Sequence, residues 1–271
     1  NILGSHAVAV GASALRSQNY ATATDSYNTA VGSFAGYAVS TGVSNTLIGG
    51  QAGDAITTGG YNTAVGHLAL SSEDEANNNT AVGYAALTAC NGGTQNVAVG
   101  QSAGAAITTG NQTVLVGTNA GDALTTGVNN VAIGYTALGA DTAGDNSVAV
   151  GHGTLNAQNF STNTDSFNTA VGYQAGLSVT TGIQNTLIGS ECGDALTDAD
   201  YNVALGRNTL STDTLGSKTT AIGFQALANQ NFTTATDTYN TAVGYDAGVS
   251  ITTGTDNTLI GAVSGDALTT G

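Results

Sequence analysis

The chain has 271 residues, with 3 basic against 18 acidic side chains and a net charge of −15. This charge repels nucleic acid and anionic membrane surfaces, and no segment approaches the ~18 apolar residues of a membrane span, so we expect neither nucleic-acid binding nor direct membrane insertion. Tryptophan, methionine and proline are absent while glycine fills 39 positions, which excludes a core of bulky side chains and favours thin layers of small and β-branched ones.

One glycine recurs at a fixed spacing along the whole chain. These marker glycines are separated by 17 residues eleven times and by 21 residues three times. They are Gly11, Gly32, Gly49, Gly66, Gly83, Gly100, Gly117, Gly134, Gly151, Gly172, Gly189, Gly206, Gly223, Gly244 and Gly261. A short period means that each unit buries its apolar side against its neighbours. We therefore predict an all-β parallel β-solenoid or β-roll of about fifteen coils, a single repeat array over residues 1–271 that is one segment of a longer fibre.

Each unit begins with a short strand that ends at the marker glycine. The residue just before the glycine is Val, Ile or Leu in all fifteen units, and the residue two before it is Ala or Leu in all fifteen. Because neighbouring residues of a strand point to opposite faces, both faces are apolar and one of them needs a second cover. We expect the Ala and Leu row, with Ala64, Leu115 and Leu187, to point outward against an identical chain in a homo-oligomer.

The part of each unit after the glycine also carries a packing pattern. A small residue follows three positions later, and the next position alternates in pairs between Leu and Gly, as in Leu15 and Gly36. Units with Gly there gain an aliphatic residue three positions on, such as Val39, whereas units with Leu mostly carry Glu73, Asp141 or Asp213 at that position. This exchange keeps the volume per coil level. We predict that the second half of each coil is also a packed strand.

Two further positions indicate structure rather than chemistry. The first strand position is Asn in eleven of fifteen units, and stacked Asn amides can hydrogen-bond from coil to coil. The marker glycines are expected to have a positive φ or to let two backbone segments pass closely at a corner.

Three stretches carry a family resemblance: residues 6–16 (HAVAVGASALR), 130–140 (NVAIGYTALGA) and 146–155 (NSVAVGHGTL). They resemble the head repeats of trimeric autotransporter adhesins and the related repeats of phage tail fibres and of proteins ending in a self-cleaving fibre chaperone. The resemblance implies a left-handed parallel β-roll, three chains side by side, and an adhesive or receptor-binding rod on a cell or virion surface. The coil here is a few residues longer than the usual head repeat, and bacterial adhesin and phage fibre both stay open.

The three 21-residue units each contain a four-residue extension, and the three extensions are similar in sequence. They form the candidate ligand site. The candidate ligand-binding residues are Tyr20, Asp25, Tyr27, Phe160, Asp165, Phe167, Phe232, Asp237 and Tyr239. Two aromatic rings framing Thr and Asp on a projecting loop can stack on a sugar ring of a cell-surface glycan or contact a protein receptor. The alternative is that the loops pack on themselves or touch the next subunit.

Other chemistry is sparse. Thr-rich turns, such as Thr57–Thr58 and Thr108–Thr109, raise ice binding as a remote alternative, but they are interrupted every two coils. Asp54, Asp122, Asp194 and Asp266 recur every fourth coil, too far apart to share a calcium ion. The same spacing argument separates the two histidines that follow marker glycines, His67 and His152, and the two cysteines, Cys90 and Cys192.

No phosphate loop, nucleophile motif or cysteine cluster occurs, so we expect no enzyme, cofactor or metal site. The alternative to an adhesin is a purely architectural filament or spacer that carries a recognition domain elsewhere.

Overall fold

The computed structural model describes residues 3–72 and 74–271, and Glu73 lies outside the described residues. Regular structure in this part of the chain consists of β-strands of two or three residues joined by turns. The described residues form no helix, and hence none with the length and hydropathy needed to cross a bilayer. The strands are β1 (Gly4–Ser5), β2 (Val8–Val10), β3 (Thr24–Asp25), β4 (Thr29–Val31), β5 (Thr46–Ile48), β6 (Thr63–Val65), β7 (Thr80–Val82), β8 (Val97–Val99), β9 (Val114–Val116), β10 (Val131–Ile133), β11 (Gly144–Asp145), β12 (Val148–Val150), β13 (Thr164–Asp165), β14 (Thr169–Val171), β15 (Thr186–Ile188), β16 (Val203–Leu205), β17 (Gly216–Ser217), β18 (Thr220–Ile222), β19 (Thr236–Asp237), β20 (Thr241–Val243) and β21 (Thr258–Ile260).

The chain divides into two compact units, Asn1–Asn130 and Val131–Gly271. In the first unit the main sheet has the parallel order β2-β4-β5-β6-β7-β8-β9, and β1 pairs with β3. In the second unit the order is β10-β12-β14-β15-β16-β18-β20-β21, while β11 pairs with β13 and β17 with β19. Equivalent residues pair between neighbouring coils, as Ala64 does with Ala81. The chain is therefore an all-β parallel β-solenoid of about fifteen coils, which confirms the fold predicted from the glycine spacing.

The two faces of the main strand are the reverse of the expectation. The Ala and Leu row lies inside the coil: Ala64, Leu115 and Leu187 have no exposed surface. The Val and Ile row points outward, and Ile48 and Leu205 are 39% and 45% exposed. Strand alternation separates two apolar faces without saying which is inside, and the inner row consists of Ala in eleven coils and Leu in four.

The marker glycines have the conformation predicted for them. Gly66 has a φ of +141°, and a Cβ built on it would lie 2.3 Å from the carbonyl oxygen of Gly83 in the next coil. No side chain fits at that distance, so glycine is required both by the dihedral angle and by the backbone of the neighbouring coil.

The second half of each coil is a series of turns, so the predicted second strand is wrong. The residues two and four positions after the marker glycine are left-handed, as Leu68 and Leu70 are with φ of 59° and 54°. Two such residues bend the chain back and prevent an extended strand. The turns still stack, because the amide of Leu70 donates to the carbonyl of Ala86 at 3.0 Å.

The packing that was inferred for this half is confirmed, with one partner that the sequence analysis missed. Leu47 points inward between Gly36 and Gly53, and a Cβ on either glycine would come within 2.7 Å of a Leu47 methyl carbon. In every fourth coil, a Leu two positions before the marker glycine lies beside two such glycines, one in its own coil and one in the preceding coil. Leu47 thus fills the volume that the two glycines vacate.

The Asn positions form the predicted ladder. The backbone amide of Asn62 donates to Oδ1 of Asn45 at 3.0 Å, and the Nδ2 of Asn62 donates to the carbonyl of Ala76 at 2.9 Å. The Oδ1 of Asn62 then accepts from the amide of Asn79 at 2.9 Å. Each buried amide therefore ties three coils together and leaves its polar atoms hydrogen-bonded.

Candidate functional site

In each of the two units, the outward face of the main strands is an uncharged surface, and the residues of this face are here called the outer strip. It consists of the residues one and three positions before each marker glycine. In all fifteen coils both positions hold Thr, Val, Ile or Leu. Several of its side chains remain more than a third exposed, including Ile48, Ile133 and Leu205. The outer strip carries no charge, and contiguous exposed apolar surface of this kind marks interaction sites.

Aromatic side chains flank the outer strip on both sides. The leading column is the residue five positions before each marker glycine, and the trailing column is the residue directly after it. Exposed rings of the leading column are Tyr27, Tyr61, Phe167, Tyr201 and Tyr239, and exposed tyrosines of the trailing column are Tyr84, Tyr135, Tyr173 and Tyr245.

Rings of the trailing column stack on each other from coil to coil. The ring of His152 lies between those of Tyr135 and Tyr173, with centroid distances of 5.2 and 5.3 Å. His67 stacks on Tyr84 in the first unit at 5.8 Å. These two histidines, considered above as zinc ligands, are thus occupied by ring contacts. No cluster of three or more His, Cys, Asp or Glu residues suited to a metal ion is found in the described chain.

The extensions divide into a buried and an exposed half. The first aromatic residue is buried in each: Tyr20 is 5% exposed and Phe160 and Phe232 are each 7% exposed. The hydroxyl of Tyr20 donates to the carbonyl of Gly42 at 2.7 Å. These three rings therefore do not project, and only the second half of each extension can face a ligand.

A buried aspartate holds two of the extensions in place. Oδ1 of Asp213 accepts from the amides of Gly216 at 3.1 Å and Phe232 at 2.9 Å, and its Oδ2 accepts from Nε2 of Gln230 at 2.6 Å. Asp141 makes the equivalent contacts one extension earlier. Both carboxylates are fully buried. In the sequence, each of these aspartates lies seven residues after the marker glycine of the coil that comes before a 21-residue unit.

The exposed half of each extension pairs an Asp with the preceding coil. Nζ of Lys218 donates to Asp237 at 2.5 Å and lies 5.3 Å from the ring centroid of Tyr239. The hydrogen bond from Lys218 lowers the pKa of Asp237, and the same contact raises the pKa of Lys218. Asp165 accepts instead from the side-chain amide of Asn146 at 2.6 Å.

The first extension has the same arrangement with a histidine. Oδ1 of Asp25 accepts from the hydroxyl of Ser5 at 2.5 Å and lies 3.0 Å from Nδ1 of His6. The Ser5 hydrogen bond, followed by that of His6, lowers the pKa of Asp25. His6 also stacks on Tyr27 at 5.3 Å. In all three extensions the aspartate therefore has a partner within the chain, and in the first and third extensions the second ring also has one.

The remaining sequence candidates have structural contacts. The hydroxyl of Thr108 donates to the carbonyl of Thr125 in the next coil at 3.1 Å, and Thr252 donates to Thr269 at 3.2 Å. The turn threonines thus stabilise the stack. Cys90 and Cys192 are both buried thiols outside any disulfide, Sγ of Cys90 donates to the carbonyl of Gly93 at 3.5 Å, and burial raises the pKa of Cys192 to about 12.

Three aspartates at equivalent positions have perturbed acidity. Partial burial raises the pKa of Asp54, Asp122 and Asp194, and their own backbone amides oppose that shift. Oδ1 of Asp54 and Oδ1 of Asp194 are buried without a hydrogen-bond partner in the described chain.

Comparison of the chain with protein-family models, with curated proteins and with solved structures found no match. A functional proposal for this chain therefore rests on the surfaces described above.

Proposed function

We propose that this chain is a structural fibre segment that associates side by side with identical copies, as a homotrimer, into a surface-exposed rod for cell or receptor attachment. The observation that supports this is the outer strip. Copies with a net charge of −15 repel each other, and an uncharged strip of Val, Ile, Leu and Thr is a surface on which they can meet without confronting like charges.

The area of this face is adequate for a stable contact. Over the two units together, fifteen main strands at ~4.8 Å spacing and ~20 Å between the leading and trailing columns give roughly 1,400 Å² per copy, or roughly 700 Å² toward each of the two neighbours in a trimer. A standard protein interface buries about 800 Å² per partner. Aromatic side chains such as those of the two columns are also enriched at protein interfaces.

The first experiment measures the mass of the chain in solution by light scattering. We expect a trimer. Val243→Asp places a charge on the outer strip in every copy and should yield a folded monomer, while Thr253→Asp adds the same charge to an exposed turn of the same coil and should leave the mass unchanged. A parent chain that is monomeric at micromolar concentration would overturn the proposal.

Attachment is tested separately with the assembled rod. Fluorescently labelled rods are applied to a glycan array and to cells, and Asp237→Asn together with Tyr239→Ala tests the exposed half of an extension. Lost binding with an unchanged trimer supports recognition by the extension. A trimer that binds neither surface supports the architectural filament, with recognition residing elsewhere.

Ice binding is a second candidate that the outer strip supports better than the turn threonines do. Thr29, Thr46, Thr63 and Thr80 occupy four consecutive coils, and their hydroxyls have no hydrogen-bond partner within the described chain. This function needs the strip to stay wet. A monomeric chain that shows thermal hysteresis would support it and would replace the assembly proposal.

A further inference from the structure

Arg207 differs from the other two strong cations of the chain. Arg16 lies 5.6 Å from the ring centroid of Tyr37, and Lys218 lies over Tyr239 and pairs with Asp237. Arg207 is exposed in the trailing column and has neither a ring nor a carboxylate as a side-chain partner among the described residues. A guanidinium group is suited to stacking on an aromatic face, so this side chain is free to bind a ring of another molecule.

Symmetry decides which columns meet when copies lie side by side. Every coil of the solenoid advances in the same direction, so a copy has a distinct start and end. Rotation about an axis parallel to the coil stack keeps each coil at its height and brings the trailing column of one copy against the leading column of the next. An antiparallel pair instead brings like columns together.

The two columns are matched in some coils and not in others, since Tyr84, Tyr135 and His152 of the trailing column share their coils with Asn78, Asn129 and Asn146. Four of the five exposed rings in the leading column share their coil with a ring or a cation in the trailing column. These pairs are Tyr61 with His67, Phe167 with Tyr173, Tyr201 with Arg207 and Tyr239 with Tyr245. In the coil that follows Tyr201 and Arg207, the cation is in the leading column and the ring is in the trailing column, as Lys218 and Phe224. Partners six residues apart on an extended segment are separated by ~20 Å, so they cannot touch within one chain.

We infer that the copies associate in parallel, with the guanidinium of Arg207 over the Tyr201 ring of the neighbouring copy. The inference rests on the proposed assembly and specifies its direction and register. The uncharged outer strip then supplies apolar contact at the centre, while the cation and ring pairs at the edges align coil with coil. Parallel alignment also places every extension at the same height on all copies.

Disulfide trapping tests this arrangement. The double variant Tyr201→Cys with Arg207→Cys is oxidised and run on a non-reducing gel, beside each single variant. We expect the double variant to give covalent species up to the full oligomer, and each single variant to stay at the mass of one chain. A disulfide within the chain is excluded by the ~20 Å separation, and the native Cys90 and Cys192 are buried.

The other outcomes are equally decisive. A single variant that forms covalent dimers indicates like-with-like columns and overturns the homotrimer together with the inference, because three copies related by one rotation axis are parallel. An oligomeric double variant without covalent species indicates that the columns do not meet, which overturns the inference while the assembly stands. A monomeric parent chain overturns both. Should the cysteine variants fail to fold, a double-mutant cycle of association strength with Arg207→Ala and Tyr201→Ala gives the same information. Each alone should weaken association about tenfold, and the second should add little in the background of the first.

Discussion

The pairing of Leu47 with Gly53 makes a quantitative prediction about packing inside the coil. Leu47 is fully buried. Its truncation in Leu47→Ala should lower the free energy of unfolding by about 3 kcal/mol, through lost burial and a residual cavity. Gly53→Ala should cost a similar amount for different reasons. At a φ of +56°, alanine costs about 1 kcal/mol, and its Cβ would lie 2.7 Å from Cδ2 and 3.3 Å from Cδ1 of Leu47. Overlap of this kind adds about 2 kcal/mol.

The double variant should lose about 4 kcal/mol instead of the additive 6, because removing Leu47 abolishes two of the three close contacts of the new methyl group. Urea unfolding followed by circular dichroism measures all four proteins, at one protein concentration because association adds stability. As a matched control, Leu115→Ala combined with Gly53→Ala should be additive, since the two sites lie four coils apart. Additivity within about 0.5 kcal/mol for Leu47 and Gly53 would refute the proposed interlocking.

Three further outcomes follow from the buried polar groups. Asp213→Ala removes three hydrogen bonds and leaves two backbone amides without an acceptor, so it should lower the free energy of unfolding by about 3 kcal/mol in a urea titration. The control variant Asp266→Ala, at an exposed position equivalent to Asp54, should change the free energy of unfolding little. Asn202→Ala removes one amide from the Asn ladder and should lower the free energy of unfolding by about 2 kcal/mol. The control variant Gln184→Ala should leave it nearly unchanged, and equal melting temperatures of the two variants would mean that the ladder does not stabilise the fold. Asp54→Asn, Asp122→Asn and Asp194→Asn together should raise the melting temperature at pH 7. The folded chain raises the pKa of these groups above the usual 3.8, so it disfavours their charged form, and stability falls as pH rises from about 4 through the raised values. The gain should vanish below pH 3.8, and an equal gain at pH 3 would contradict the assigned cause.

The repeat spacing was sufficient to predict the solenoid because one glycine per coil has a steric role that no other residue can fill. The contact between Gly66 and the backbone of the next coil shows this directly. The Asn ladder was predictable for a similar reason, since an amide carries both a donor and an acceptor at a fixed position of every coil.

Other features were not readable from the sequence. Leu70 and its equivalents adopt left-handed backbone angles that their side chains disfavour, and only the stacked neighbours hold them there. The predicted second strand failed for that reason. The extensions were misjudged in part because Tyr20 and Tyr27 are the same residue type, yet one is buried and the other exposed. That difference depends on which side of the loop faces the coil.

The interlocking of Leu47 between two glycine-bearing coils also restricts how the array can vary in length. Removing the coil that carries Leu47 would leave Gly36 facing an unfilled gap, and removing the coil that carries Gly36 would bring Leu15 against Leu47. Removing four consecutive coils restores the order of Leu and Gly across the new joint. Changes in the length of this array should therefore be tolerated best in steps of four coils.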